Sequence, residues 1–496
     1  MKTDVLIFID KGLSDEDLTF GGSFTPDSLS GKLSSLDAVT DVYFSVPEDY
    51  SGALSGRAAT VVRSGEDDVD FWKKLLAATS SDHVIKIHGD SPFLDPQIVS
   101  EMADIHIKYL AEFTYSENLP EGMTCEIVSR ELVDAIPEFN EKTLPLSKVV
   151  RSNMNQFDIE LYYRDPDVRD KRLSFRASDP RERRVMENIA GSAKGTPAYG
   201  QIRELIERNP GVLYIGPSYL EIELTGRCDL DCLFCYRTKL DKKRDDLSAE
   251  LFGKILSDMK DFALPYTICL GGSGEPLMNP QFYAILEQAE AEPLVRQVIV
   301  ETNGIQADGN YRNHVAGSAP GKIKTIVNIN GHNTQTYSQL HGSDHYDEVV
   351  KNITSLKESL SGRGDDALHV QIMKINETEP FLDSYYDYWE KQGVPIILQK
   401  QNTYTGLVQD RRYSDLSPLE RVPCWHLQRD LFILSDGSVP FCRVDVRESA
   451  GRGNVRDLSL REIWEQGKAH FISDYRRSYA SCPDCAACDE WYTFNF

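Results

Sequence analysis

No apolar run in the 496 residues comes near the length a bilayer-spanning helix needs. The opening stretch, Met1-Lys2-Thr3-Asp4-Val5-Leu6-Ile7-Phe8-Ile9-Asp10, holds five consecutive apolar residues. That is too few for a signal-peptide core and reads instead as a buried first strand. A cytoplasmic location without a membrane partner is the expectation. Basic residues are scarce as well: 54 Lys and Arg face 78 Asp and Glu, a formal net charge of −24. Such a field repels a phosphate backbone, so nucleic acid is not an expected partner. No internal repeat and no low-complexity tract occurs. Arg57 is the first arginine of the chain, and Ser30-Gly31-Lys32 pairs a glycine with a cation before it. Cationic groups that could stabilise phosphate charge are thus sparse in the first fifty residues.

Cysteine is present and unevenly placed. Of ten, eight fall into two groups, with Cys125 and Cys269 apart. Without a secretory start, such grouping indicates metal ligands rather than disulfides. The first group is Cys228-Asp229-Leu230-Asp231-Cys232-Leu233-Phe234-Cys235-Tyr236. Three thiols in eight residues supply three ligands to a four-iron cluster and leave one iron open for a small molecule. Zinc is the competing reading, but it wants four closed ligands and no fourth Cys or His lies nearby.

This C-x3-C-x2-C spacing, with an aromatic before the last cysteine, resembles the signature loop of the radical SAM enzymes. The resemblance implies that S-adenosylmethionine (SAM) chelates the open iron of a [4Fe–4S] cluster held by Cys228, Cys232 and Cys235, with Phe234 at the cofactor. The surrounding pattern agrees. Six strand-like runs, 219–224, 267–270, 295–301, 323–329, 367–374 and 395–400, alternate with helical stretches, which predicts a parallel sheet with right-handed crossovers. Six such units make a partial (β/α)6 TIM-type barrel, whose active site lies at the carboxyl ends of its strands. The cysteine run follows the first strand. Gly271-Gly272-Ser273-Gly274-Glu275-Pro276 follows the second, where glycine lets backbone approach a ligand and a carboxylate can accept from an ammonium group. In the family this loop holds the amino group of SAM, which implicates Gly272, Gly274 and Glu275. Glu301-Thr302-Asn303-Gly304 follows the third strand and is similar to a turn near the SAM ribose, so Thr302 and Asn303 join the candidates. Asn328, at the end of the fourth strand, is the remaining one.

The second group comprises Cys424, Cys442, Cys482, Cys485 and Cys488. Ser435-Asp436-Gly437 between 431–434 and 439–441 is a hairpin signal. The group resembles a shortened SPASM-type extension, implying one auxiliary [4Fe–4S] cluster with Cys485 and Cys488 as final ligands and Cys482 as the spare; the whole is similar to the spiro-SPASM proteins. A zinc ribbon is the alternative.

The N-terminal part alternates strand-like runs at 5–9, 42–44, 60–62 and 84–87 with helical ones, predicting an α/β sheet, with 172–177 as a last strand and 180–189 as a last helix. Gly89-Asp90-Ser91-Pro92 follows the fourth run, and with the stretch through Glu126 it is similar to the sugar-nucleotide cytidylyltransferases of the spore-coat polysaccharide type. That resemblance implies magnesium or nucleotide roles for Asp90 and Glu126. The map is a nucleotidyltransferase-like α/β domain at 1–195, a linker at 196–214, the barrel at 215–410 and an iron–sulfur lobe at 411–496. The expected activity is reductive cleavage of SAM and hydrogen-atom abstraction from a peptide or protein, with an electron donor such as flavodoxin or ferredoxin. Radical oxidation or rearrangement of a sugar or nucleotide-sugar is the alternative, and a non-catalytic nucleotide-binding scaffold is a third reading.

Overall fold

A computed structural model describes residues 2–52, 54, 59–63, 67–79, 81–136, 144–240, 244–414, 417–479 and 483–493. Arg57 and Cys482 lie outside the described residues. The chain divides into two compact units, Met1–Leu213 and Tyr214–Phe496.

In the first unit β1 (Thr3–Phe8) is buried at every position, as a central parallel strand covered on both faces must be. β2 (Val42–Pro47), β3 (Ala59–Arg63) and β4 (His83–His88) are parallel to it, and β5 (Phe113–Ser116), β6 (Glu126–Ser129) and β7 (Ile159–Tyr162) complete a mixed sheet. The order is β3-β2-β1-β4-β6-β5-β7, with β6 antiparallel to both neighbours. The expected strand at 172–177 does not form. Arg172 is left-handed (φ 51°), a single bridge joins Glu121 to Ser174, and the neighbouring amides donate to loop carbonyls and to Glu182 instead. The helix after it runs over Pro180–Ala193. Residues 196–214, read as a linker, carry the helix Tyr199–Arg208, whose Tyr199, Ile202 and Ile206 are buried. Its apolar spacing is that of a packed amphipathic helix.

In the second unit β8 (Tyr219–Glu223), β9 (Tyr266–Gly271), β10 (Val295–Thr302), β11 (Ile323–Asn328), β12 (Leu368–Lys374) and β13 (Ile396–Lys400) pair in chain order, all parallel. Helices intervene, as the alternation predicts. Ser248 caps Ala249–Met259 by accepting from the Leu251 N–H, and Phe252, Ile255, Leu256 and Met259 are buried. The expected hairpin is rearranged. Its turn forms, with Leu434 N–H donating to Ser438 O at 2.9 Å. The strand before the turn, β14 (Asp430–Ile433), pairs instead in parallel with β8 as a seventh barrel strand. The strand after it, β15 (Ser438–Val439), pairs with β16 (Gly453–Asn454). The exposed β8 edge offers a longer ladder than a short hairpin, which satisfies more backbone groups.

Candidate active site

The cysteine loop leaves β8 at the carboxyl end of the barrel and is held there from beneath. Asp231 N–H donates to His341 O at 3.2 Å and Leu233 N–H to Leu340 O at 2.9 Å. Both acceptors lie on the last turn of the helix Thr334–His341, whose terminal carbonyls have no intrahelical partner. Arg237 Nη2 closes the loop on Leu230 O and Asp231 Oδ1, at 2.6 Å each. Cys228, Cys232 and Cys235 face one cavity of about 500 Å³. Phe234, Gly272, Gly274, Glu275, Thr302, Asn303 and Asn328, all expected at the cofactor, line the same cavity. Burial pushes the Cys228 thiol up to about 12 and raises Cys232 and Cys235 as well. Metal binding at such thiols releases protons.

Opposite the thiols, Glu275 is 2% exposed. Its Oε1 accepts from Thr302 Oγ1 at 2.7 Å and its Oε2 from Asn303 N–H at 2.8 Å. Burial nevertheless raises its carboxyl to about 7, against the pull of those donors. Asn303 reaches back to the cysteine loop, donating from Nδ2 to Asp229 Oδ1 at 2.5 Å. The glycine loop is required sterically: a Cβ on Gly274 would stand 2.0 Å from Thr225 O and 2.6 Å from Arg227 O. Glu223, fully buried under that loop, accepts from Ser273 N–H at 3.2 Å and from Ser435 Oγ at 3.0 Å, tying the loop to the turn after β14.

Sequence reasoning missed several residues of this cavity. His341 is the nearest to the thiols: its Nδ1 stands 3.1 Å from Cys232 Sγ. Its Nε2 accepts from the Asn330 backbone N–H at 3.0 Å. Burial holds its pKa down to about 3, so the ring is neutral and its one proton sits on Nδ1, aimed at sulfur. With Cys232 as a cluster ligand, such a donor would stabilise the more negative, reduced cluster. His341→Phe, which keeps the stack on Tyr337, is therefore expected to lower the midpoint of the first cluster by ~59 mV or more, a tenfold change in the reduction equilibrium. An EPR-monitored redox titration checks it. Glu221 and Arg443 (Oε2–Nε 3.5 Å) were missed too, whereas Glu301, from the expected turn, and Lys400, at the end of the sixth strand, line the cavity as sequence-based candidates. The one available signal was alternation: Tyr219, Glu221 and Glu223 share a strand face, and two carboxylates on a buried strand indicate a polar interior.

The C-terminal thiols gather separately. Cys442, Cys485 and Cys488 line one small cavity with Phe441 and Asp445, and Cys424 lies within electrostatic reach of Cys442 and Cys488. Asp474 Oδ2 accepts from the Cys424 N–H at 2.7 Å, and Arg421 bridges Asp474 Oδ1 (3.1 Å) to Cys485 O (2.5 Å). Among the described residues no three Cys, His, Asp or Glu side chains are spaced to hold a single metal ion. Both donor sets are all-sulfur, the ligand chemistry of iron–sulfur clusters. The chain beyond Cys488 is strapped to the barrel: Lys400 Nζ donates to Glu490 Oε1 and Asp489 O, 2.8 Å each. Glu490, Tyr492 and Thr493 thereby join the wall of the main cavity.

The first unit has its own cavity of about 610 Å³, lined by Glu126 with His88, Lys148 and Arg151. Glu126 pairs with Arg151 at 3.4 Å and Lys86 at 3.5 Å. Asp90 does not line it, being fully buried against Arg176 and Ser178.

A parallel partial barrel that presents three thiols, a glycine loop and a buried glutamate at its strand ends defines a cluster-bearing α/β-barrel enzyme. Residues 222–375 match the radical SAM superfamily and residues 424–489 the iron–sulfur cluster-binding SPASM domain, so this iron–sulfur enzyme carries a radical SAM domain followed by a SPASM domain. It is 29% identical over 360 residues to an uncharacterized protein of Treponema pallidum (strain Nichols), covering 70% of this chain and 97% of that one. It is 26% identical over 318 residues to the tungsten-containing aldehyde ferredoxin oxidoreductase cofactor-modifying protein of Pyrococcus furiosus, covering 55% and 88%. A cytidylyltransferase structure from Leptospira borgpetersenii is similar with a TM-score of 0.36 at 18% identity, covering 43% of this chain and 96% of that one. The two matched domains imply a SAM-binding [4Fe–4S] cluster, SAM itself and an auxiliary iron–sulfur cluster, and with them reductive cleavage of SAM. No helix among the described residues is long and apolar enough to cross a membrane.

Proposed function

We propose that this enzyme abstracts a hydrogen atom from a side chain of a peptide or protein. Cys228, Cys232 and Cys235 hold the SAM-binding cluster, and Cys424, Cys442, Cys485 and Cys488 the auxiliary one. The cluster and SAM together supply a deoxyadenosyl radical; the protein binds, orients and excludes water. Glu275 accepts from the SAM amino group, Gly272 and Gly274 admit the backbone close to it, and Thr302 and Asn303 fix the Glu275 carboxylate. The observation that carries the substrate class is the cavity's open side. β13 is the last strand of the sheet, and Leu398 both lines the cavity and is 41% exposed. A body too large for the cavity can stay outside and insert one residue. A sugar or nucleotide-linked sugar is the second reading, favoured by the amides and carboxylates of Asn328, Gln399, Glu221 and Glu301 on the wall. Reconstituted enzyme with SAM and dithionite should form deoxyadenosine. Stimulation by peptides, with deuterium transfer from a labelled side chain, supports the first reading. Stimulation by nucleotide sugars alone replaces it with the second.

The Glu275 carboxyl adds a pH dependence. Burial raises its pKa to about 7, and the ionised carboxylate is the stronger acceptor for the amino N–H of SAM. Protonation therefore competes with SAM, and affinity should fall as pH drops below 7, approaching roughly tenfold per unit. Glu275→Gln should bind SAM more weakly at pH 8 and lose this slope, with the cluster spectrum retained. Calorimetric titration with SAM between pH 6 and 8 reads both; an unchanged slope in the variant removes Glu275 from this role.

A further inference from the structure

In the first unit β2 and β3 build away from β1 on one side and β4 lies on the other. The crevice above the carboxyl ends of β1 and β4 is thus the switch point, where open parallel sheets take their ligands. Three carboxylates reach it from three segments: Asp10 beyond β1, Asp90 beyond β4, and Glu121 between β5 and β6. In the transferases this unit resembles, the position of Asp90 serves magnesium. Magnesium does not fit here. Asp90 is 0% exposed and both its oxygens are engaged. Oδ1 accepts from Arg176 Nε at 2.5 Å, and Oδ2 accepts from the Ser178 N–H at 3.2 Å and from the Ser178 hydroxyl. Arg176 Nη2 donates to Asp10 Oδ2 at 2.6 Å, and Nη1 to Glu121 Oε1 at 3.0 Å. Each nitrogen of one guanidinium thus takes a different carboxylate.

The backbone locks that arrangement. Phe175 N–H donates to Glu121 O and Ala177 N–H to Asp90 O, both at 2.8 Å, so the residues flanking Arg176 are fastened to two of the three carboxylate loops. The Arg176 N–H itself donates to Glu182 Oε2 at 2.7 Å. The approach is close enough to demand glycine at 122: a Cβ there would meet Phe175 O at 2.2 Å, at a φ of +80°. Bringing in a divalent ion would mean displacing a guanidinium that is 11% exposed and paired three times, and removing a partner from a buried charge is strongly unfavourable.

We propose that Arg176 is a built-in cation standing in the divalent-metal position of this crevice, so that the first unit takes no metal there and performs no metal-dependent nucleotidyl transfer. The test is Mn²⁺ titration of the full-length protein, clusters oxidised, with free Mn²⁺ read by EPR. The wild type should show no stoichiometric site that Asp90→Asn removes. Arg176→Ala should gain one, tightening Mn²⁺ binding at least tenfold, and Arg176→Ala/Asp90→Asn should lose it again. A stoichiometric wild-type site abolished by Asp90→Asn overturns the proposal, as does a folded Arg176→Ala that gains none. Should Arg176→Ala not fold, the comparison of wild type with Asp90→Asn decides alone. Pyrophosphate release from cytidine triphosphate and a sugar phosphate, dependent on Mg²⁺ and on Asp90, would equally overturn it.

Discussion

Alanine at Cys228, Cys232 or Cys235 should reduce deoxyadenosine formation from SAM to background. Three thiolates are the fewest that can hold a four-iron cluster while leaving one iron for the cofactor, so none is spare. The loop itself should survive. Its anchors are backbone bonds from Asp231 and Leu233 to the helix end at Leu340 and His341, and the Arg237 clamp on Leu230, none of which uses a thiol. Loss of activity with an unchanged far-UV spectrum and melting temperature therefore separates a missing ligand from a broken fold. Wild-type rates of SAM cleavage in any of the three variants would remove the loop from the chemistry.

The barrel was legible because its signals are local. Each of the six strands lies within two residues of the run that announced it, since buried parallel strands are continuous apolar stretches bounded by turns. The cysteine spacing and the glycine loop are local too, and the fold places them at one cavity. What escaped is what depends on long-range contact. His341 lies 109 positions from Cys232 and carries no motif. β14 reads as half of a hairpin until the β8 edge is seen to be free for it. Arg176, 86 residues from Asp90 and 166 from Asp10, sits in a stretch whose alternation resembles a strand. Its backbone donors are instead spent on two loops, and no periodicity reports where an amide finds its acceptor. The first-unit strands β5 to β7 are short and mixed in direction, so neither length nor alternation distinguished them from loops.

The second large effect concerns the auxiliary cluster. A triple alanine variant at Cys228, Cys232 and Cys235 is expected to cleave no SAM yet retain about four irons and four sulfides per chain, the content of one cluster. The four thiols proposed to hold it do not depend on the first loop. Cys424 is positioned by Asp474, Cys442 follows the turn after β14, and Cys485 and Cys488 stand on or beside the short helix Pro483–Ala487. Arg421 joins the two halves, since one guanidinium holds both the Asp474 that orients Cys424 and the Cys485 carbonyl. Four thiolates would saturate this cluster, leave no iron for SAM and confine it to electron transfer or to fastening the C-terminal segment. In the triple variant, Cys485→Ala or Cys488→Ala should therefore remove the remaining iron, whereas Cys482→Ala should spare most of it. The same two substitutions in the otherwise intact enzyme should also disturb the main cavity, because Glu490, Tyr492 and Thr493 on its wall follow Cys488 directly. Iron and sulfide analysis with Mössbauer spectra reads the first outcome, and the affinity for SAM in the single variants reads the second. Stoichiometric zinc after anaerobic purification, or a triple variant without iron, would replace the auxiliary cluster with a different site.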